Sequence, residues 1–260
     1  MLPGALKERG AKIAEEFTGS CLLGGGQFCT NPGLVVLLEG PETEEFVSAT
    51  ARLFAAATPP PLLSSGVVTA LSASIQRLQE AGAQLLTGGS RLPPPGCRHT
   101  NTLLRVSGTD FLAAAQQLQT EAFGSASLLV VTRDGHEAAQ VLDELEGNLT
   151  GAIYSDTSGA DDGLYEELAP QLRQRVGRLL NDKMPTGVAV SPAMNHGGPF
   201  PATGHPGFTA VGIPASLRRF GMLQCYDNVR PSRLPPALQD KNPNGRMWRW
   251  IDGRWTTEDL

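Results

Sequence analysis

A three-layer αβα domain, with helices on both faces of a mostly parallel sheet, is predicted for this 260-residue chain by three observations. Short runs such as LVVLLEG and SLLVVT have an unbroken apolar stretch at their centre instead of alternating, as strands buried on both faces do. Segments with helical spacing separate these runs, which makes the repeating unit strand–helix–strand. Glycine and proline bound the runs and limit them to strand length.

The elements follow in order. Leu6, Ile13, Phe17 and Leu22 recur at helical spacing, so a helix is expected from about Leu6 to Gly24. Gly24, Gly25 and Gly26 end it, because three successive glycines cost too much backbone entropy to continue. The turn-rich GQFCTNPG leads into the first strand, LVVLLEG. Helices are predicted at PETEEFVSATARLFAAA and VVTALSASIQRLQEAGAQLL, then at GHEAAQVLDELEG and DDGLYEELAPQLRQRV. Strands are predicted at NTLLRV, SLLVVT, LTGAIYS and GRLLND. From Pro185 the chain is rich in Gly and Pro with little periodicity, and a long ordered loop of functional importance is expected. A helix from about Ala210 to Phe220 and a short strand from about Leu223 to Tyr226 follow. The first domain is thus expected to span 1–229, and an extended tail lying on a surface to span 230–260. The three tryptophans of the tail, Trp248, Trp250 and Trp255, suggest surface packing or a subunit contact.

Composition narrows the function classes. A formal net charge of −5 argues against nucleic acid or an anionic membrane as a partner. The charged opening MLPGALKERGAKIAEE lacks a signal-peptide core, and no apolar run approaches the roughly 20 residues that span a bilayer. Four scattered cysteines, without CxxC or cysteine–histidine spacing, fit reduced thiols in a cytoplasmic protein and predict no metal site.

Cys29 is the position with most chemistry. It sits just past a helix end, between glycines and a Thr-Asn-Pro-Gly turn, where backbone N–H groups can converge on a thiolate or an oxyanion. On position alone, an inert buried cysteine is the better reading. The motif GGGQFCTNPGLVV resembles the active-site cysteine signature of the aldehyde dehydrogenase superfamily. The likeness is to the branch holding α-ketoglutaric semialdehyde (2,5-dioxovalerate) dehydrogenases and some NADP-linked fatty aldehyde dehydrogenases. Two later blocks agree in order: TEAFGSASLLVV, and PTGVAVSPAMNHGGPFPATGHPGFTAVG with LRRFGMLQCYDNV and LPPALQDKNPNG.

The resemblance implies Cys29 as nucleophile, Glu121 on the ribose hydroxyls of NAD or NADP, and Phe123 beside the nicotinamide. Without it, Glu121 reads as a solvated acid at a helix end. Ser125 stands where the family has proline, which is expected to loosen that turn. Ser191 and Phe200 are candidate substrate-tunnel residues, with loop packing as the alternative. His196, in the same loop, reads as a histidine hydrogen-bonded to backbone.

The implied activity is NAD(P)-dependent oxidation of a small aldehyde, with α-ketoglutaric semialdehyde the best match, through a thiohemiacetal and a thioester on Cys29. The family's cofactor domain precedes the cysteine half, and the sequence is expected to lack it. GGGQFC follows a helix rather than a strand, so it does not meet the context of a phosphate-binding turn. The family's glutamate base and oxyanion carboxamide are likewise expected to be absent from it. The chain is therefore expected to turn over weakly alone, and to self-associate or pair with a cofactor-domain half. A non-catalytic remnant and a slow cysteine-dependent esterase are the competing readings.

Overall fold

The computed structural model describes residues 1–187, 191, 193–205, 209, 217 and 220–260. The chain divides into two compact units, Met1–Leu217 and Arg218–Leu260, a division that falls ahead of the expected 229/230 boundary.

The first unit opens with helix α1 (Pro3–Leu22). Its first-turn N–H groups have no side-chain cap of their own. Instead, those of Gly4 and Ala5 donate to the carboxylate of Asp161, both at 2.9 Å. A tight turn over Leu23–Gly26 stops the helix, with Gly24, Gly25 and Gly26 all at positive φ. Strand β1 (Leu34–Leu38) and helix α2 (Pro41–Ala56) follow, and two glutamates in the first turn of α2 oppose the helix dipole favourably. Helix α3 (Ser65–Glu80) begins at Ser64, whose hydroxyl accepts from Val67 N–H.

The predicted helix through Leu86 ends early. Gly82, at φ 108°, turns the chain, and β2 (Gln84–Thr87) pairs antiparallel with β3 (Thr102–Ser107). Two short helices that the spacing did not suggest come next, α4 (Gly108–Ala113) and α5 (Ala115–Leu118). Then come β4 (Ala126–Thr132), α6 (Gly135–Asp143), β5 (Asn148–Ile153), α7 (Asp162–Arg175) and β6 (Val176–Asn181).

The main sheet has the order β1-β4-β3-β2, parallel except at β2; β5 and β6 form a separate parallel pair. Strand β4 is buried along its whole length. Its Leu129 and Val131 pack with Phe17, Phe46 and Phe54 of α1 and α2, while Leu128 and Val130 pack with Val68, Leu71 and Ile75 of α3. Two apolar faces explain why this strand reads as an unbroken apolar run.

Glu137 ties α6 to α4. Its carboxylate is nearly fully buried and accepts from Arg133 N–H at 2.7 Å and Thr109 Oγ1 at 2.8 Å, with the Arg133 guanidinium at 3.1 Å. Burial works to raise its pKa, but these donors and the arginine charge prevail and hold it below the usual carboxylate value. A depressed folded-state pKa contributes stability above the unfolded value, and that stability is lost as pH falls through the folded one. Glu137→Gln is expected to cost about 2 kcal/mol at pH 7. Urea titrations at stepwise lower pH should show the gap to the wild type closing; a gap constant down to pH 3 would contradict this account.

The second unit contains no strand at Leu223–Tyr226, contrary to expectation; these residues lie exposed and unpaired in a sheet sense. The expected helix near Ala210–Phe220 lies largely outside the described residues. The tail is more structured than an extended segment. Two 3-10 turns, Pro231–Arg233 and Pro236–Leu238, precede a hairpin of β7 (Arg249–Ile251) and β8 (Arg254–Thr256). Asp252 and Gly253, both at positive φ, make its two-residue turn. Trp250 and Trp255 meet edge to face across the strands, 5.3 Å between ring centres. The buried Arg249 guanidinium gathers the carbonyls of Gln239, Asp240 and Glu258. Among the described residues, no helix is long and apolar enough to cross a membrane.

Candidate active site

The turn that carries Cys29 is held from both sides. Gln27 reaches across to the 61–63 segment, its Oε1 accepting from Leu63 N–H at 2.8 Å and its Nε2 donating to Gly24 O at 2.9 Å. Beyond the cysteine, Asn31 N–H closes onto Phe28 O at 3.1 Å. The Asn31 side chain donates to Gly124 O at 3.3 Å. Gly26 lies so close to Gly124 that a β-carbon there would sit 2.0 Å from the Gly124 oxygen. The cysteine turn and the Glu121–Gly124 segment are thus in backbone contact, which only glycine permits.

Cys29 is exposed, and its sulfur lies 3.2 Å from Nε2 of His196. Cys21, on the same helix–turn segment, is a different kind of thiol: burial pushes it up to about 12 and keeps it protonated. His196 departs from expectation. Among the described residues its ring makes no hydrogen bond to backbone, since Nε2 faces the thiol and the buried Nδ1 has no partner there.

The His196 loop reaches the thiol because it lies flat on the starts of β5 and β6. A β-carbon on Gly177 would fall 1.4 Å from Gly197 O, and one on Gly198 would fall 2.1 Å from Asn148 O. Asn195 adds a bond from Nδ2 to Gly177 O at 3.3 Å. The Gly-Gly after His196 is therefore a packing requirement.

A cavity of about 370 Å³ opens beside the thiol, with Gly26, Phe28, Cys29, Asn31, Glu121 and Phe123 in its wall. The Glu121 carboxylate and the Phe123 ring are both exposed at this rim. Ser191 and Phe200 do not line it. Ser191 O accepts from Met194 N–H at 3.0 Å, and the Phe200 side chain is 81% exposed. The tunnel role expected of these two finds no support in this cavity. The turn at Ser125 is buried and closed by Thr102 N–H on Ser125 O and Ala126 N–H on Gly124 O, both at 2.8 Å, so it is tight without proline.

These features define a class: a three-layer α/β domain that presents a thiol–imidazole pair beside an acidic and aromatic rim. No protein-family model matches the chain. Two curated proteins are similar over 94% of it: α-ketoglutaric semialdehyde dehydrogenase 2 of Azospirillum brasilense, 40% identical over 243 residues, and α-ketoglutaric semialdehyde dehydrogenase of Acinetobacter baylyi, 35% identical over 244. The matched region is 46% of each, so the chain spans about half the length of these relatives. Among solved structures, a 1-pyrroline-5-carboxylate dehydrogenase superposes with a TM-score of 0.61 at 22% identity, over 73% of this chain and 36% of that one. The γ-glutamyl-γ-aminobutyraldehyde dehydrogenase of Burkholderia cenocepacia gives 0.60 at 18%, over 76% and 39%. A Thermus 1-pyrroline-5-carboxylate dehydrogenase with bound NAD gives 0.58 at 23%, over 73% and 36%. At such identities the structural likeness concerns the fold. The chain is thus similar in sequence and in fold to aldehyde dehydrogenases.

Proposed function

We propose that this chain supplies the nucleophile of an NAD(P)-linked aldehyde dehydrogenase, with Cys29 attacking the aldehyde and His196 taking the thiol proton. The observation that carries this reading is the 3.2 Å contact between Cys29 Sγ and His196 Nε2, made across 167 positions of sequence. A base within hydrogen-bond reach is what a weakly nucleophilic thiol requires at neutral pH. With the proton moved to His196, the sulfur adds to the carbonyl carbon to give a thiohemiacetal. In this reading the Cys29 backbone N–H is one donor to its oxygen.

The rim fits one end of a dinucleotide. Glu121 offers a solvent-facing carboxylate for the ribose hydroxyls, and Phe123 an exposed ring for one face of the nicotinamide. NAD or NADP bound there would supply the hydride acceptor. The reading includes a cofactor-binding segment, in this polypeptide or an associated one, that holds the rest of the dinucleotide. α-Ketoglutaric semialdehyde is the proposed substrate, since the two relatives similar over 94% of the chain carry that name.

The test is the rate of Cys29 alkylation by iodoacetamide from pH 5 to 9, located by peptide mass spectrometry. His196→Ala is expected to slow labelling at pH 7 by about tenfold relative to the wild type. Superimposable profiles would remove His196 from the mechanism. Aldehyde-dependent NAD(P)H formation, with a cofactor-binding segment present, tests the redox step separately.

A further inference from the structure

We infer that Arg178 is a positioning residue that sets His196 against Cys29, an assignment that rests on the Cys29–His196 reading above. Among the described residues, buried Nδ1 of His196 has no hydrogen-bond partner that would orient the ring from its far side. A catalytic imidazole is ordinarily fixed by such a partner. Here its placement falls to the loop backbone, and Arg178 gathers the described limbs of that loop.

Arg178 lies on β6, in register with Thr150 of β5. Its guanidinium touches both limbs of the loop that leaves this strand. On the outgoing limb, Nη2 donates to Pro185 O at 3.3 Å and Gly187 O at 3.5 Å. On the returning limb, Nη1 lies 3.3 Å from the sulfur of Met194, two residues before His196. Nε is buried and unpartnered, and a thioether is a weak acceptor. What bonding the guanidinium has is therefore spent on the two limbs of the loop.

The limbs it joins both end on the cysteine. On the outgoing side, Thr186 Oγ1 is 3.3 Å from the carbonyl of Thr30, the residue after Cys29, and accepts from Ser20 Oγ at 2.7 Å. On the returning side, Asn195 donates to Gly177 O, one residue before Arg178, and His196 meets the thiol. Arg178 therefore closes a circuit that begins and ends at the nucleophile. A pure stability anchor would lower the melting temperature without changing the thiol's reactivity. A positioning residue changes the reactivity.

The experiment compares Arg178→Met, Arg178→Lys, His196→Ala and the Arg178→Met/His196→Ala double variant in the full chain. Circular dichroism and thermal melts establish folding, and the readout is the pH profile of Cys29 alkylation by iodoacetamide. Arg178→Met is expected to slow labelling at pH 7 by about tenfold, matching His196→Ala, because small displacements of a reacting group carry large rate costs. Arg178→Lys, which keeps the cation without the fork, is expected to recover part of the rate. The double variant should label no more slowly than His196→Ala. If Arg178→Met fails to fold, Arg178→Lys carries the comparison, with an intermediate profile expected. Wild-type profiles in the Arg178 variants, or additive losses in the double variant, overturn the positioning role while the Cys29–His196 reading stands. An unchanged profile in His196→Ala overturns both.

Discussion

Cys29→Ser is expected to abolish covalent capture at the site, lowering acyl transfer from an activated ester to the protein by at least about 10³-fold, while leaving the fold intact. The change replaces one atom. A serine hydroxyl at the same place could still bond His196 Nε2, so geometry is preserved and intrinsic nucleophilicity is removed. The thiol is exposed and belongs to neither apolar cluster, so the stability change should stay within about 0.5 kcal/mol. Intact-protein mass after incubation with the ester reads the first effect, and a urea titration the second. Undiminished capture in Cys29→Ser would point to another group as nucleophile. This assay needs no dinucleotide, so it examines the thiol without depending on a complete cofactor site.

Gly26→Ala should cost about 3 kcal/mol of stability or more. At φ 68°, a β-carbon meets the left-handed penalty of about 1–2 kcal/mol. It would also lie 2.0 Å from the oxygen and 2.3 Å from the carbonyl carbon of Gly124, which are backbone atoms unable to rotate aside. Relieving such overlap costs about 1–3 kcal/mol more in strain. The segments that must part are the cysteine turn and the Glu121–Phe123 rim, so any folded fraction should also show altered Cys29 labelling. Gly19→Ala is the control. No atom lies within 4 Å of a β-carbon there, and it sits inside helix α1, where alanine is favoured by about 1 kcal/mol. Opposite shifts in urea midpoint are expected; equal losses would mean that the Gly26 contact is not the cause.

Much of the architecture was readable from local pattern. Strands β1 and β4 are legible because a nearly unbroken apolar run of strand length, bounded by Gly or Pro, has few other uses, and β3, β5 and β6 because short apolar stretches alternate with helical spacing. Cys29, Glu121 and Phe123 stood out by motif, and they do share one cavity wall. Strand β2 was missed because Gln84–Thr87 continues the helical spacing of α3, and only pairing with β3 makes it a strand. The tail hairpin was missed for a similar reason: Arg249 is buried by three carbonyls that no spacing reveals. Ser191 and Phe200 were chosen from a glycine- and proline-rich loop without periodicity, where nothing local says which side chains face a cavity.

The sequence by itself determined the layered fold and the glycine turn that ends α1, because these follow from chain-local steric and apolar patterning; Cys29, Glu121 and Phe123 are singled out by the resemblance of their motifs to a known family. Tertiary structure alone decided that His196 is the group facing the thiol. That contact depends on loop and strand backbones crossing at distances only glycine allows, at Gly177 and Gly198, beside the bonds by which Arg178 reaches both limbs of the loop. Close approach of segments 167 residues apart is a property of their packing, and it leaves no periodic trace in either one.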